Sequence, residues 1–153
     1  MPDRLAAIVQ YLQDDTDVAA IVKSRVFDEE LPDNIVSRMP VPSILVLTAG
    51  GAGNLGAPTN DFSDSRIDVR CYAWKTIESC RALELLVYDK LRSIQRLVVG
   101  DTLVHWCNAA GGPTPVRVQS ITWPGGVVDQ STHWPYVQRS WQVLAADIPV
   151  PVP

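Results

Sequence analysis

Hydrophobic and polar residues alternate along one short stretch of the chain, SRIDVRCYAW, which runs from Ser65 to Trp74. Because the side chains of a strand point alternately to its two faces, this pattern predicts a strand with one buried face. The predicted buried set comprises Ile67, Val69, Cys71 and Ala73. The opposite set is rich in arginine and large aromatic residues, which are favoured where proteins meet, so we interpret it as a candidate subunit interface. That set comprises Arg66, Asp68, Arg70, Tyr72 and Trp74.

Three stretches show helical rather than alternating spacing of apolar residues. Residues 3–12 predict a short amphipathic helix that Asp3 could cap, and Asp17–Val22 predicts a second helical turn. The longest pattern follows the candidate N-cap Thr76 and predicts a helix over Thr76–Leu97, with Gly100 as its stop. Its apolar stripe comprises Ile77, Cys80, Leu83, Val87, Leu91, Ile94 and Val98.

The remaining segments predict strands and loops. Ile44–Leu47 is a short apolar run typical of a buried strand, and RVFDEELPDN before it is interpreted as a connection. Residues 49–64 contain four glycines and predict a long flexible loop. Two strands are predicted over TLVHWCNA and TPVRVQSITW, joined by a turn at 111–113. A last strand is predicted over WPYVQRSWQVLAAD. The proline-rich residues 147–153 predict an extended arm.

This order of elements predicts an α+β fold. An antiparallel or mixed β-sheet would pack against one long helix, with a short N-terminal helix, extended loops and a C-terminal arm. The chain has 153 residues, so we expect one domain over residues 1–153.

Composition narrows the class of protein. The net charge of −4 argues against nonspecific nucleic-acid binding, which usually needs a basic surface. No apolar run reaches the roughly 18 residues of a membrane span, and the first residues lack the layout of a signal peptide. The three cysteines are an odd number without a CxxC pair, so we expect neither a disulfide framework nor a structural zinc site. We expect the protein to be made and kept in a reducing cytoplasm.

No group of residues predicts catalysis. His105 and His133 lack a histidine partner at metal-ligand spacing, and the glycine loop lacks the Gly-Lys-Ser/Thr ending and the following helix of a phosphate loop. Cys107 lies two residues from His105, so the two could share one face of a strand, but no third group orients them. We therefore expect no enzyme, no catalytic or metal-binding residues and no cofactor.

Four stretches of the chain form a recognisable series. LAAIVQYLQDDTDVAAIVKSRVF ends in the step Arg25-Val26-Phe27, and a proline-led strand follows at Pro42–Leu47. The strand Ile67–Trp74 ends in an aromatic residue before the helix Thr76–Leu97, and YVQRSWQVLAA forms the last strand. This series resembles the tail-completion, or tail-terminator, proteins of long-tailed bacteriophages. The resemblance covers about residues 4–98 and 136–146, whereas residues 100–135 depart from the family pattern.

The resemblance implies a structural virion protein at the head–tail junction, assembled in the cytoplasm of the bacterial host. Members form a homo-oligomeric six-fold ring that caps the tail tube, stops its polymerisation and faces the head-side connector or neck protein. DNA would pass through the lumen without specific binding, and no membrane is involved. Two alternatives stay open: another neck protein, such as a head-closure protein or connector adaptor, and a small cytoplasmic enzyme that uses Cys107 and His105.

Overall fold

The fold is known from a computed structural model, which describes residues 4–36, 41–48, 62–74, 76–116 and 134–147. Four helices and seven strands are described in this part of the chain, and together they form the predicted α+β fold. In chain order they are α1 (Arg4–Asp14), α2 (Thr16–Val22), β1 (Val26–Asp28), α3 (Asp33–Val36), β2 (Ser43–Thr48), β3 (Phe62–Tyr72), α4 (Ile77–Arg92), β4 (Gln95–Val99), β5 (Thr102–Ala109), β6 (Thr114–Val116) and β7 (Tyr136–Asp147).

The described strands form one mixed sheet in the order β1-β2-β3-β7-β5-β4, and β6 also pairs with β7. β1 runs parallel to β2, and every other described pair is antiparallel. The longest ladder joins β3 to β7, from Phe62 opposite Ala146 to Tyr72 opposite Tyr136. These two strands therefore form the centre of the sheet and fix which residues share each of its faces.

The main core lies between one face of the sheet and the helices α1, α2 and α4. The predicted inner set of β3 is buried there: Ile67 and Val69 are each 1% exposed and Cys71 is fully buried. Ala73 is also buried, in a smaller cluster with Ile77 at the start of α4. The face of β7 that carries Trp141, Val143 and Ala145 completes this core, as its alternation predicts.

Local hydrogen bonds explain where α2 and α4 begin. The Asp15 carboxylate caps α2 by accepting hydrogen bonds from the backbone N–H groups of Asp17 and Val18, at 2.9 and 3.0 Å. The ammonium group of Lys90 reaches both carboxylates, at 3.3 Å from Asp15 and 2.7 Å from Asp17, and so links α2 to α4. Thr76 caps α4 as predicted, because its hydroxyl accepts from the Ser79 N–H at 3.3 Å.

The predicted end of the long helix is wrong. α4 ends at Arg92, and the residues from Gln95 onward form β4 rather than a last helical turn up to Leu97. Arg96 has a φ of 50°, a left-handed conformation that an α-helix does not tolerate. Leu97 packs against the core, whereas Val98 is 58% exposed, as expected for neighbouring residues of a strand.

Several loop predictions also change. The predicted connection RVFDEELPDN contains β1 and the first residues of α3, and residues 62–64 belong to β3 rather than to the glycine-rich loop. Asp147 ends β7 instead of starting the arm. Residues 49–61, residues 148–153, the candidate cap Asp3 and most of the predicted strand after Val116 lie outside the described residues. None of the helices in the described ranges is long and apolar enough to cross a membrane.

Candidate interaction surface

The members of the predicted outward set that belong to β3 lie on the sheet face opposite α4. Within the β3–β7 ladder, Arg66 is paired with Gln142, Asp68 with Ser140 and Arg70 with Gln138. A polar band therefore crosses the middle of this outer face. Arg66 is exposed, whereas Asp68 and Arg70 are only partly exposed.

Asp68 and Arg70 are held by the neighbouring strand. The Ser140 hydroxyl donates a hydrogen bond to the Asp68 carboxylate. The Nε atom of Arg70 donates to the side-chain oxygen of Gln138 at 2.9 Å, and its guanidinium carbon lies 4.8 Å from the centre of the Tyr136 ring. Such a cation–π contact holds the guanidinium against the ring. Both side chains therefore already have partners within the chain.

Tyr72 belongs to a second apolar cluster rather than to an open face. It is 7% exposed and packs with Ile35 and Leu45, and its ring centre lies 5.2 Å from that of Tyr136. Removal from water raises the pKa of the Tyr72 hydroxyl. The segment around α3 thus covers one end of the outer face, and Tyr72 packs within the fold there.

Trp74 lies beyond the end of β3, so strand alternation does not place its side chain. It is 58% exposed, which is far more than the core tryptophan Trp141, at 1%. Among the five predicted interface residues, Arg66 and Trp74 are therefore the two that offer an exposed surface to a partner.

The opposite end of the outer face carries apolar residues that the sequence reasoning did not single out. Trp106 of β5 pairs with Leu144 of β7, and Val98 of β4 pairs with Leu103. Val98 was missed because its position also fits the helical stripe of α4. The short apolar run of Leu97, Val98 and Val99, which ends at Gly100, was the available signal for a strand.

A second missed feature lies on the helix side. Arg139 of β7 and Glu84 of α4 form an ion pair inside the core, where the sequence pattern placed Glu84 off the apolar stripe. An arginine among Val137, Trp141 and Val143 on one strand face was the signal, because a buried cation needs a buried partner. This pair positions α4 on the sheet and has no exposed chemistry.

The geometry also places Cys107 in the core. A bulge in β5 between Val104 and Trp106 resets the alternation, so Val104 and Cys107 both face the core although they are three residues apart. Burial raises the pKa of the Cys107 thiol to about 12. A thiol with this pKa is almost wholly protonated at neutral pH, and the thiolate is the nucleophilic form. His133 lies outside the described residues.

The described residues contain no group of three or more histidine, cysteine or acidic side chains that could hold a metal ion. All three cysteines, Cys71, Cys80 and Cys107, are buried free thiols. What these residues assemble is an outer sheet face with a polar middle, an end covered by the chain itself and an end with exposed apolar groups.

Comparison with known proteins shows similarity in fold alone. No protein-family model matches the chain, and no curated protein sequence matches it. A solved structure described as the virion of a native gene transfer agent (GTA) particle contains a chain of similar fold, with a TM-score of 0.56, 15% identity and coverage of 94% of both chains. The gp17 protein of bacteriophage SPP1 matches with a TM-score of 0.42 and 14% identity, over 97% of this chain and 90% of that one.

Proposed function

We propose that this chain is a structural subunit of a phage-like particle, and that it serves as the tail terminator at the head–tail junction. In this role, copies form a ring that caps the tail tube, stops the addition of tube subunits and offers its other side to the head-side connector. DNA passes through the lumen without specific binding. The particle is assembled in the cytoplasm of the bacterial host.

One observation carries the proposal: a chain of a gene transfer agent virion shares this fold over 94% of both lengths. The order of elements that resembles the tail-completion family points in the same direction, since it spans the helical start, the central strand, α4 and the last strand. The chemistry of the described residues agrees with a binding role. Cys107 is buried with a raised pKa, and exposed groups such as Arg66 and Trp74 suit contacts with protein.

The test uses the full chain and the tail-tube protein encoded in the same genome. Electron microscopy should show rings of this chain, and tubes that polymerise in its presence should stop growing with a ring at one end. Labelling the chain in intact particles should place it between tail and head. A chain that stays monomeric and leaves tube length unchanged contradicts the proposal, whereas a label on the head side of an already capped tail favours another neck protein.

A further inference from the structure

The two outermost strands along the path of the described sheet are β1 and β4. Five strand spacings of about 4.8 Å separate them, so they lie about 24 Å apart along the sheet. Sheet edges are common sites of association between chains. Both edge strands lie near α1, but each carries its own exposed side chains, so they are available to different neighbours.

The β4 edge is basic and partly apolar. Arg96 lies on this strand and Arg92 ends the helix immediately before it, and both side chains are exposed. Val98, on the same strand, is 58% exposed. Arg92 lies near the Tyr88 ring, at 5.5 Å from its centre, and within the described part of the chain neither arginine forms an ion pair.

The β1 edge is acidic. Asp28 ends the strand, and Glu29 and Glu30 follow it, and all three side chains are exposed. Glu29 accepts a hydrogen bond from the Thr48 hydroxyl at 2.6 Å, which leaves the charge of its carboxylate unpaired by a cation. No salt bridge within the described residues neutralises these three carboxylates.

The backbone of β1 is already occupied at this edge. The Val26 carbonyl accepts a hydrogen bond from the Gln13 side chain at 3.1 Å, and the Asp28 carbonyl accepts from the Glu30 N–H at 2.7 Å. A neighbour would therefore meet the acidic side chains of this edge rather than extend the sheet through backbone pairing.

We propose that copies of this chain associate head to tail, with the basic β4 edge of one copy against the acidic β1 edge of the next. Opposite charges lie on the two edges, and no salt bridge within the described residues joins them, so a second copy of the same chain is the complementary partner. Such a heterologous contact builds a ring when its rotation closes. Single exposed ion pairs contribute little, but several pairs around the apolar Val98 act together. The inference rests on the proposed ring-forming function and names its contact.

Charge reversal tests this contact. One variant carries Arg92→Glu with Arg96→Glu, and a second carries Asp28→Lys with Glu30→Lys. At low salt each variant alone should have an apparent dissociation constant for assembly raised about tenfold or more, which corresponds to about 1.4 kcal/mol. An equimolar mixture of the two should assemble again, because each edge then meets the opposite charge. Light scattering and mass photometry measure the oligomeric state.

Two controls keep the result interpretable. Arg81→Glu reverses an exposed charge on α4 away from both edges and should leave assembly unchanged. Arg96→Asn removes the charge with a residue that tolerates a positive φ, so it covers the case in which the glutamate variant misfolds. If the wild-type chain forms oligomers and both reversed variants assemble equally well, the edge contact is overturned but the ring function is not. Wild-type protein that never forms oligomers, with or without tube protein, overturns the ring function as well.

Discussion

Arg139 and Glu84 form a buried ion pair that joins the central strand β7 to the helix α4. The Nε atom of Arg139 donates to Oε1 of Glu84, and its Nη2 atom lies 3.4 Å from Oε2. The two side chains are only 11% and 4% exposed. The guanidinium carbon also lies 4.2 Å from the centre of the Tyr88 ring on the same helix. Charge, hydrogen bonds and an aromatic face therefore fix one orientation of α4 on the sheet.

Removing one member of this pair should destabilise the fold strongly. Glu84→Gln leaves a buried guanidinium without its counter-charge, and we expect the free energy of unfolding to fall by about 3–5 kcal/mol. Urea denaturation followed by circular dichroism measures this loss. Asp89→Asn, which changes an exposed carboxylate on the same helix, should cost less than about 0.5 kcal/mol. A loss below about 1 kcal/mol for Glu84→Gln would show that the pair is not important for stability.

Substitutions of the two arginines of the outer face should have different effects, one on the stability of the fold and the other on assembly. Arg70→Glu removes the hydrogen bond to Gln138 and the contact with the Tyr136 ring, so it should lower stability by about 1–3 kcal/mol. Arg66→Glu changes an exposed side chain and should leave the melting temperature nearly unchanged. If the outer face contacts another subunit, Arg66→Glu weakens assembly of a normally folded chain. Rings that form as readily with this variant would show that Arg66 lies outside the interface.

Tyr72 and Trp74, the two large aromatic residues near the end of β3, should differ in how much they contribute to stability. Tyr72→Ala opens a cavity beside Ile35 and Leu45, and we expect a loss of about 3 kcal/mol in the free energy of unfolding. Trp74→Ala removes a side chain that is 58% exposed and should change stability by less than about 1 kcal/mol. Thermal and urea unfolding of both variants provide the comparison. Equal losses would mean that Trp74 packs against the fold as tightly as Tyr72.

The sequence could predict the central elements because their patterns are local. Alternation in Ile67, Val69 and Cys71 requires a strand with one buried face, and β2 and β7 follow from similar runs. The end of α4 could not be predicted in this way, since Ile94 and Val98 fit helical spacing as well as a strand. What decides it is the left-handed backbone at Arg96 and the pairing of β4 with β5, which are properties of the folded chain.

The sequence could predict which residues share the candidate surface, but not which of their side chains are exposed. Alternation correctly places Arg66, Asp68 and Arg70 on one face, opposite α4. It cannot show that the α3 segment covers Tyr72, because Ile35 lies far from it along the chain. Glu84 illustrates the same limit, since its burial depends on Arg139, which lies 55 residues away.

The buried thiols should be protected from reagents in the native state. Cys71, Cys80 and Cys107 are all buried, and burial raises the pKa of each. At pH 8 we expect Ellman's reagent to label none of them in native protein and all three in urea. Cys107→Ser should leave ring assembly intact, since Cys107 faces the core. Rapid labelling of one thiol in the native protein would identify a site that opens to solvent.

Stability should fall with pH above about 9 because the folded chain keeps its thiols protonated. The pKa of Cys107 is about 12 in the fold against the ordinary value of 9.0, so the unfolded chain loses this proton first. The unfolded state then binds fewer protons than the native state, and the free energy of unfolding decreases by about 1.4 kcal/mol per pH unit for this group between the two values. Urea denaturation of wild type and Cys107→Ala at pH 8.0 and at about pH 10.5 measures the difference. The variant should lose about 2 kcal/mol less than wild type over this interval. Identical losses would mean that the Cys107 thiol ionises as easily in the fold as in the unfolded chain, which its burial against Val104 and Val143 argues against.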